Sequence, residues 1–143
     1  MITLRVTNET KNSILATHAQ VAKEPYVRKW GLIFTNPADF QPGCGLFFPD
    51  CNAVHTVQMS MPIDVIFIDM MTARVKKIVP QAPPGCHFNV LTPIPICSVL
   101  ELPAGVILQT GTEPGDVIAI MSSGHSSGDE LRDIQAMVGW PHR

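Results

Sequence analysis

The chain has 143 residues, of which 45% are hydrophobic and 15% are charged, and its formal net charge at pH 7 is -2. This length and composition predict one globular domain with its own core and exclude an intrinsically disordered chain. The longest run of basic residues is the pair Lys76 and Lys77, which excludes the basic surface that nucleic-acid binding requires.

Nothing in the sequence predicts a membrane span or a secretion signal. The first residues, MITLRVTNETKNSI, lack the apolar core of a signal peptide, and no stretch reaches the roughly 18 apolar residues of a spanning helix. We therefore expect a cytoplasmic protein from the chain as given, or a periplasmic or envelope-associated protein if a leader has been removed. The cysteines Cys44, Cys51, Cys86 and Cys97 form no CxxC pair, so we expect free, partly buried thiols rather than a zinc ribbon.

The N-terminal part of the chain predicts two strands and two short helical segments. Alternating apolar and polar residues favour strands over residues 2–6 and 18–23. A helix is predicted over residues 24–30, because Pro follows Glu at its start and Gly31 can end it. Residues 36–40 predict a short helical turn, with Asn as the N-cap and Pro at the first helical position.

From Gly45 onward the pattern is that of a β protein. Short apolar segments between turn residues predict strands over residues 46–48, 53–59, 63–68, 75–79, 98–102 and 117–121. Residues 80–95 contain five prolines and are predicted as a loop or an edge strand. The predicted fold is mainly β, a compact barrel-like single domain over residues 1–121 with one or two short helices. The SSGHSSG segment and a following apolar stripe predict a flexible linker and a C-terminal helical appendage over residues 122–143.

The segment CNAVHTVQMSMPIDVIFID, residues 51–69, places ionisable and sulfur side chains in the most strand-like part of the chain. Side chains alternate along a strand, so the odd-numbered residues 51–61 are predicted to share one buried face that includes His55. Pro62 predicts a bend or a bulge. Asp64 lies among isoleucines beyond the bend, where a carboxylate must be hydrogen-bonded, paired or neutral, and backbone amides of the turn are its expected donors.

Three hypotheses account for these side chains. In the first, His55 and Asp64 are satisfied structural groups, and Cys51 and Met59 fill the core. In the second, Cys51, His55 and Met59 bind a soft metal such as Cu(I), or Zn, although a spacing of four along a strand separates side chains by roughly 13 Å. In the third, His55 and Asp64 act together in a pocket, as ligand contacts or as an acid/base pair. The most specific version of this hypothesis makes Cys51 a nucleophile with His55 as its base.

Two further places hold ionisable side chains. Glu101 is a carboxylate in an otherwise apolar strand, VLELPAG, where it shares a face with Cys97 and Val99; a solvated outer face is expected, with a pocket as the alternative. Cys86 and His87 are interpreted as an exposed thiol beside a surface imidazole. The sequence contains no GxGxxG, P-loop, GxSxG or HExxH motif.

Three segments, in order, resemble signatures of the uncharacterised domain-of-unknown-function family 192. They are HTVQMSMPIDVIFID at residues 55–69, VLELPAG at residues 99–105 and PGD at residues 114–116. Upstream, Arg28, Gly31-Leu32 and Gly45-Leu46-Phe47 resemble the first part of the family pattern. The resemblance covers residues 21–121. The chain departs from the pattern at Thr35-Asn36, where the family often has Arg, and at Gln58, where it often has Gly.

The resemblance implies a compact, mostly β barrel-like domain with one or two short helices. It implies no established activity, cofactor or substrate, and it associates some relatives with the envelope, pili or secretion systems. We therefore expect a non-catalytic binding or accessory module whose partner is a small molecule or a protein. The alternative is a small enzyme or metal-binding protein that uses His55 and Asp64. The candidate pocket consists of His55, Thr56, Met59, Asp64 and Glu101.

Overall fold

The computed structural model describes residues 2–22, 36–91 and 97–122. Within these residues the chain forms nine strands, one short α-helix and one 3-10 turn. The strands are β1 (Thr3–Asn8), β2 (Ser13–Val21), β3 (Gly43–Phe48), β4 (Ala53–His55), β5 (Ile63–Asp69), β6 (Arg74–Ala82), β7 (His87–Asn89), β8 (Cys97–Pro103) and β9 (Ile118–Ser122). The 3-10 turn is Pro37–Asp39, and the helix α1 is Val106–Thr110.

Seven strands form one curled sheet in the order β6-β5-β8-β3-β2-β1-β9. Strands β2 and β3 are parallel, and the other neighbours are antiparallel. The two edges of the sheet approach each other, because Arg74 at the start of β6 bridges Val117 just before β9, and the Val75 N–H donates to the Asp116 carbonyl at 2.8 Å. Strands β4 and β7 pair separately. This half-barrel confirms the predicted mainly β, barrel-like fold.

The central strands β5 and β8 are buried on both faces of the sheet. Ile66, Ile68, Leu100 and Leu102 belong to a first apolar cluster, which α1 also covers. The alternate apolar residues of the same strands, Ile63, Val65, Phe67 and Val99, belong to a second apolar cluster. This cluster also contains Leu46, Phe48, Met59 and Met61. Burial on both faces explains why these two segments are nearly continuous apolar runs in the sequence.

A buried polar cluster ties the β1–β2 hairpin to the connection between α1 and β9. The Asn8 side-chain amide donates to Thr112 Oγ1 at 3.0 Å and to Asp116 Oδ2 at 2.9 Å, and Lys11 Nζ donates to Asp116 Oδ1 at 3.0 Å. Burial acts to raise the pKa of Asp116, but hydrogen bonds from Asn8, Lys11 and the Glu113 amide outweigh it and hold that pKa below its ordinary value. The PGD segment, residues 114–116, therefore has a structural role.

Most of the predicted elements are confirmed, with boundaries shifted by a few residues. The turn at residues 36–40 is confirmed in detail, since the Asn36 side chain accepts from the Ala38 N–H at 3.0 Å and Pro37 occupies the first helical position. Pro80 lies in β6, the edge strand of the main sheet, as a strand proline requires. The predicted helix over residues 24–30 and the C-terminal linker and helix from residue 123 lie outside the described residues.

The predicted alternation across residues 51–61 is wrong. Strand β4 ends at His55, which is exposed, and the side chain of Thr56 is fully buried instead. Thr56 Oγ1 donates to the Pro83 carbonyl at 2.6 Å and accepts from the Cys86 N–H at 2.9 Å. Gln58 then adopts a left-handed conformation with φ of 68°. The chain therefore turns after Thr56, so the period of two ends there.

The helix α1 was not predicted. It has the sequence VILQT, whose β-branched start favours a strand, and Gly105 and Gly111 flank it in left-handed conformations. Strand β7 lies within the proline-rich segment, which was predicted as a loop or an edge strand. Among the described residues no helix is long and apolar enough to cross a membrane, and α1 has five residues.

Candidate functional site

The structure does not bring the five predicted pocket residues into one cavity. In the pairing of β5 with β8, Val65 lies opposite Glu101 and Asp64 lies opposite Leu102. Neighbouring residues of a strand point to opposite faces, so the Asp64 and Glu101 side chains lie on opposite faces of the sheet. His55 and Thr56 belong to β4 and the turn that follows it, outside the main sheet.

Asp64 is completely buried and serves as an acceptor for three backbone N–H groups. Oδ1 accepts from Gln81 at 2.8 Å, and Oδ2 accepts from Gly105 at 3.2 Å and Ile107 at 2.7 Å. The carboxylate thus satisfies the first amides of α1 and fixes the end of β6 beside it. This environment is that of the structural hypothesis, in which a buried carboxylate is satisfied by turn amides.

The residues of the soft-metal hypothesis have separate environments. Cys51 Sγ donates to the Ala53 carbonyl at 3.1 Å, Met59 packs in the second apolar cluster, and the exposed His55 accepts from the Val57 N–H at 3.2 Å. The His55 ring lies 5.8 Å from the ring of His87 across β4 and β7. Across the three described ranges, no three His, Cys, Asp or Glu side chains converge as metal ligands. The copper or zinc site stays a prediction, which metal analysis of the purified protein tests.

Glu101 occupies an unusual environment for a carboxyl group. Its residue is only 4% exposed, and its cross-strand neighbours on the same face are Leu46 of β3 and Val65 of β5. Burial raises the pKa of Glu101 to about 8. The expectation of a solvated outer face is therefore wrong, because Glu101 is buried and its raised pKa favours the neutral form of the carboxyl.

A recess opens on the same face of the sheet, one strand beyond Glu101. The register places Gln20 of β2 opposite Leu46, so Gln20, Leu46 and Glu101 form one row across β2, β3 and β8. The recess has a volume of about 240 Å³. We call it the β2–β3 recess, and it is lined by His18, Gln20, Asp39, Phe40, Cys44, Gly45 and Leu46.

Within the β2–β3 recess, three side chains form a hydrogen-bonded series. Cys44 Sγ lies 3.3 Å from His18 Nε2, and His18 Nδ1 lies 2.9 Å from Thr17 Oγ1. The Thr17 hydroxyl donates to the Gly43 carbonyl at 3.4 Å. An imidazole placed beside a thiol and oriented through its other nitrogen has the geometry of a nucleophile with its base.

Gly43 is required for this series. It has φ of +101°, and a Cβ added there would lie 3.0 Å from Thr17 Oγ1 and 3.2 Å from His18 Cε1. Any other residue would be strained and would push Thr17 or the His18 ring aside. The close approach of β3 to β2 therefore depends on the absence of a side chain at this position.

Sequence reasoning missed His18 and Cys44 because 26 residues separate them and no motif joins them. One local signal was present. Cys44 stands between two glycines in the segment PGCGLFF, and glycine within a strand marks a close approach of backbone or ligand. The partner histidine follows only from the parallel pairing of β2 with β3, which the sequence does not specify.

Two solved structures resemble this fold. A protein of unknown function from Novosphingobium aromaticivorans DSM 12444 has 23% identity and a TM-score of 0.65, with 82% of this chain and 83% of that chain covered. A protein named as a candidate transcription regulator from Sinorhizobium meliloti 1021 has 22% identity and a TM-score of 0.67, with coverage of 82% and 92%. At these identities the likeness shows the fold alone. No curated protein matches the chain significantly.

The family model of DUF192, described as Uncharacterized ACR, matches residues 6–120. The match includes every strand of the half-barrel from β2 to β8, the helix α1 and the β2–β3 recess. It agrees with the resemblance carried by the three sequence segments. The chain therefore belongs to the DUF192 family, whose function is uncharacterised.

Proposed function

We propose that the protein is a non-catalytic binding module that holds a small molecule in the β2–β3 recess. The observation that carries this proposal is the juxtaposition of an open recess with a buried carboxyl group, Glu101, one strand away. Ligand sites typically combine apolar walls with a few polar groups that fix orientation. Phe40 and Leu46 supply the apolar part of this recess, and His18, Gln20 and Asp39 supply the polar part.

The recess sets the size and chemistry of the ligand. Its volume of about 240 Å³ equals that of about eight water molecules at ~30 Å³ each. A ligand of that size with one apolar end and one hydrogen-bonding end fits the lining. Glu101 is the neighbour of Leu46 in the row across β3 and β8, so its buried carboxyl lies directly beyond the apolar wall of the recess. Of the five residues predicted from the sequence, this proposal retains Glu101.

Titration of the ¹⁵N-labelled protein with small probes, followed by NMR, tests the proposal. Propionamide, propionate and propanol differ in charge and share a similar size, and Cys44→Ser removes thiol chemistry from the measurement. We expect one probe to shift the amide resonances of Gln20, Gly45 and Leu46 at millimolar concentration.

Two variants show whether the shifts come from the β2–β3 recess. Gln20→Phe fills the recess and is expected to abolish the shifts. Ile14→Phe enlarges an exposed side chain in a different concavity and is the matched control. Absence of shifts with all three probes, or shifts that persist in Gln20→Phe, would overturn the proposal.

Partner class and location belong to the same proposal. The net charge of -2 and the absence of a basic run favour a small molecule, or a protein, over nucleic acid. Thiols persist in reducing compartments, and all four cysteines of the described chain are in the thiol form, which supports a cytoplasmic location. An envelope location, with an accessory role at a pilus or secretion system, is the alternative. Fractionation of cells expressing the natural gene product distinguishes the two.

A further inference from the structure

We propose that Cys44 is a nucleophilic thiol, activated by His18, that exchanges with small-molecule disulfides entering the β2–β3 recess. This inference deepens the proposed function and rests on it, because the recess must admit a small molecule. It adds a covalent step that the binding proposal does not contain. Cys44 is half-buried and lines the recess.

The hydrogen bonds around His18 assign the proton to one ring nitrogen. The Thr17 hydroxyl donates to the Gly43 carbonyl, so its oxygen is left to accept from His18 Nδ1–H. The other ring nitrogen, Nε2, then presents its lone pair to Cys44 Sγ at 3.3 Å. This tautomer makes His18 the acceptor of the thiol proton, and the thiolate is the form of cysteine that reacts.

The other three cysteines have different surroundings. Cys86 Sγ lies 4.0 Å from the Pro84 carbonyl and Cys51 Sγ lies 3.1 Å from the Ala53 carbonyl. Cys44 Sγ also lies 3.6 Å from a carbonyl, that of Asp39, so the His18 imidazole is the contact that distinguishes it. Cys97 is fully buried, and burial raises the pKa of its thiol. In the described part of the chain, an imidazole nitrogen reaches only the sulfur of Cys44. Cys86 is therefore an internal reference for its reactivity, and the buried Cys97 reports on opening of the fold.

The exchange step needs no reactant other than Cys44, His18 and the small disulfide. His18 Nε2 takes the proton from Cys44 Sγ, and the thiolate attacks one sulfur of the small disulfide. The new sulfur–sulfur bond forms as the old one breaks, and the leaving thiolate takes the proton back from the imidazolium. The net change converts one thiol of the protein and one disulfide into a mixed disulfide and one small thiol. A second small thiol reverses the step.

Disulfide exchange fits this site better than acyl transfer. Acyl transfer forms an oxyanion that needs hydrogen-bond donors aimed at it. The Cys44 N–H donates to the Gln41 carbonyl at 3.0 Å and is therefore already engaged. Exchange at sulfur needs a thiol, a proton acceptor beside it and access, and Cys44, His18 and the recess supply these.

Exchange with 2-hydroxyethyl disulfide, a small neutral probe, tests the inference on the full chain. Aliquots are quenched with acid, and mass spectrometry of the peptides gives a rate for each cysteine. We expect Cys44 to form the mixed disulfide at least about tenfold faster than Cys86 at pH 7. Equal rates for these two thiols would overturn the inference.

Two histidine variants separate activation from unfolding. His18→Gln is expected to slow Cys44 by about tenfold or more and to leave the rate of Cys86 unchanged, because His18 is exposed and its replacement costs little packing. His55→Gln removes another exposed histidine and is expected to change neither rate. A variant that merely loosened the fold would speed the reaction of the buried Cys97. Equal Cys44 rates in the two histidine variants would refute the role of His18.

A third variant tests whether Thr17 orients the His18 ring. Thr17→Val keeps the β-branched shape but removes the acceptor for Nδ1–H, and we expect it to slow Cys44 without affecting Cys86. The two proposals remain distinguishable, because the NMR titration uses Cys44→Ser and needs no thiol. Probe binding without fast exchange would overturn this inference alone, and fast exchange without probe binding would overturn the binding proposal alone.

Discussion

Replacing Glu101 by Gln should make the protein more stable, and the gain should grow with pH. Burial raises the pKa of Glu101 from 4.5 to about 8. Between these values the native state keeps a proton that the unfolded chain releases. The wild-type stability from this group is therefore complete below pH 4.5 and falls as the pH rises toward 8.

The size of the effect follows from the two pKa values. A difference from 4.5 to about 8 is about 3.5 units, and at ~1.36 kcal/mol per unit the loss between the two ends is on the order of 5 kcal/mol. Gln is close to Glu in shape and does not titrate. The difference in unfolding free energy between Glu101→Gln and wild type should thus be smallest at pH 5 and grow by several kcal/mol by pH 8.

Urea denaturation followed by far-UV circular dichroism at pH 5, 6, 7 and 8 measures this difference, with the slope of the transition checked at each pH. Glu9→Gln replaces an exposed glutamate of the same fold and should give curves that track the wild type at every pH. If Glu101→Gln also runs parallel to the wild type, the carboxyl is not held neutral by burial. The interpretation of Glu101 as a buried carboxyl with a raised pKa would then fail.

Three further predictions concern structural groups around the site. Asp64→Ala leaves three backbone N–H groups without an acceptor and should lower the unfolding free energy by about 3 kcal/mol in urea denaturation; a loss below about 1 kcal/mol would contradict the capping role. Gly43→Ala should destabilise by about 1 to 2 kcal/mol and slow disulfide exchange at Cys44, and an unchanged exchange rate would mean that the His18 ring was not displaced. The Asp116 carboxylate has a lowered pKa, so its stabilisation is present above pH 3.8 and is lost as the pH falls further. Asp116→Asn should accordingly lower the urea midpoint at pH 6, and this difference should shrink below pH 3.8.

The sequence predicted the fold well where both faces of a strand are buried. The segments at β5 and β8 are nearly continuous apolar runs, as strands buried on both faces require, and both strands lie within one residue of the prediction. The prediction failed where a single tertiary contact sets the chain direction. Thr56 is buried because it bonds to Pro83 and Cys86, 27 and 30 residues away, and periodicity contains no information about such contacts.

The candidate site was predicted only in part for the same reason. Glu101 was identified from its place among apolar residues, but its burial depends on Leu46 and Val65 from two other strands. Asp64 was identified as a carboxylate that turn amides could satisfy, and the amides of Gly105 and Ile107 do so. Which face each carboxylate occupies follows from the register of β5 with β8, which a single sequence leaves open.

The irregularity of β2 explains how the Cys44–His18 pair is built. Ala16 lies opposite Gly43, and His18 lies opposite Cys44, so β2 advances by two residues where β3 advances by one. A regular strand would put Ala16 and His18 on the same face, and Ala16 is buried in the first apolar cluster. The extra residue, Thr17, moves His18 to the opposite face, beside Cys44, and brings its own hydroxyl to the ring. Bulges commonly re-aim a side chain next to a site, and here the bulged residue is also the one that orients the imidazole.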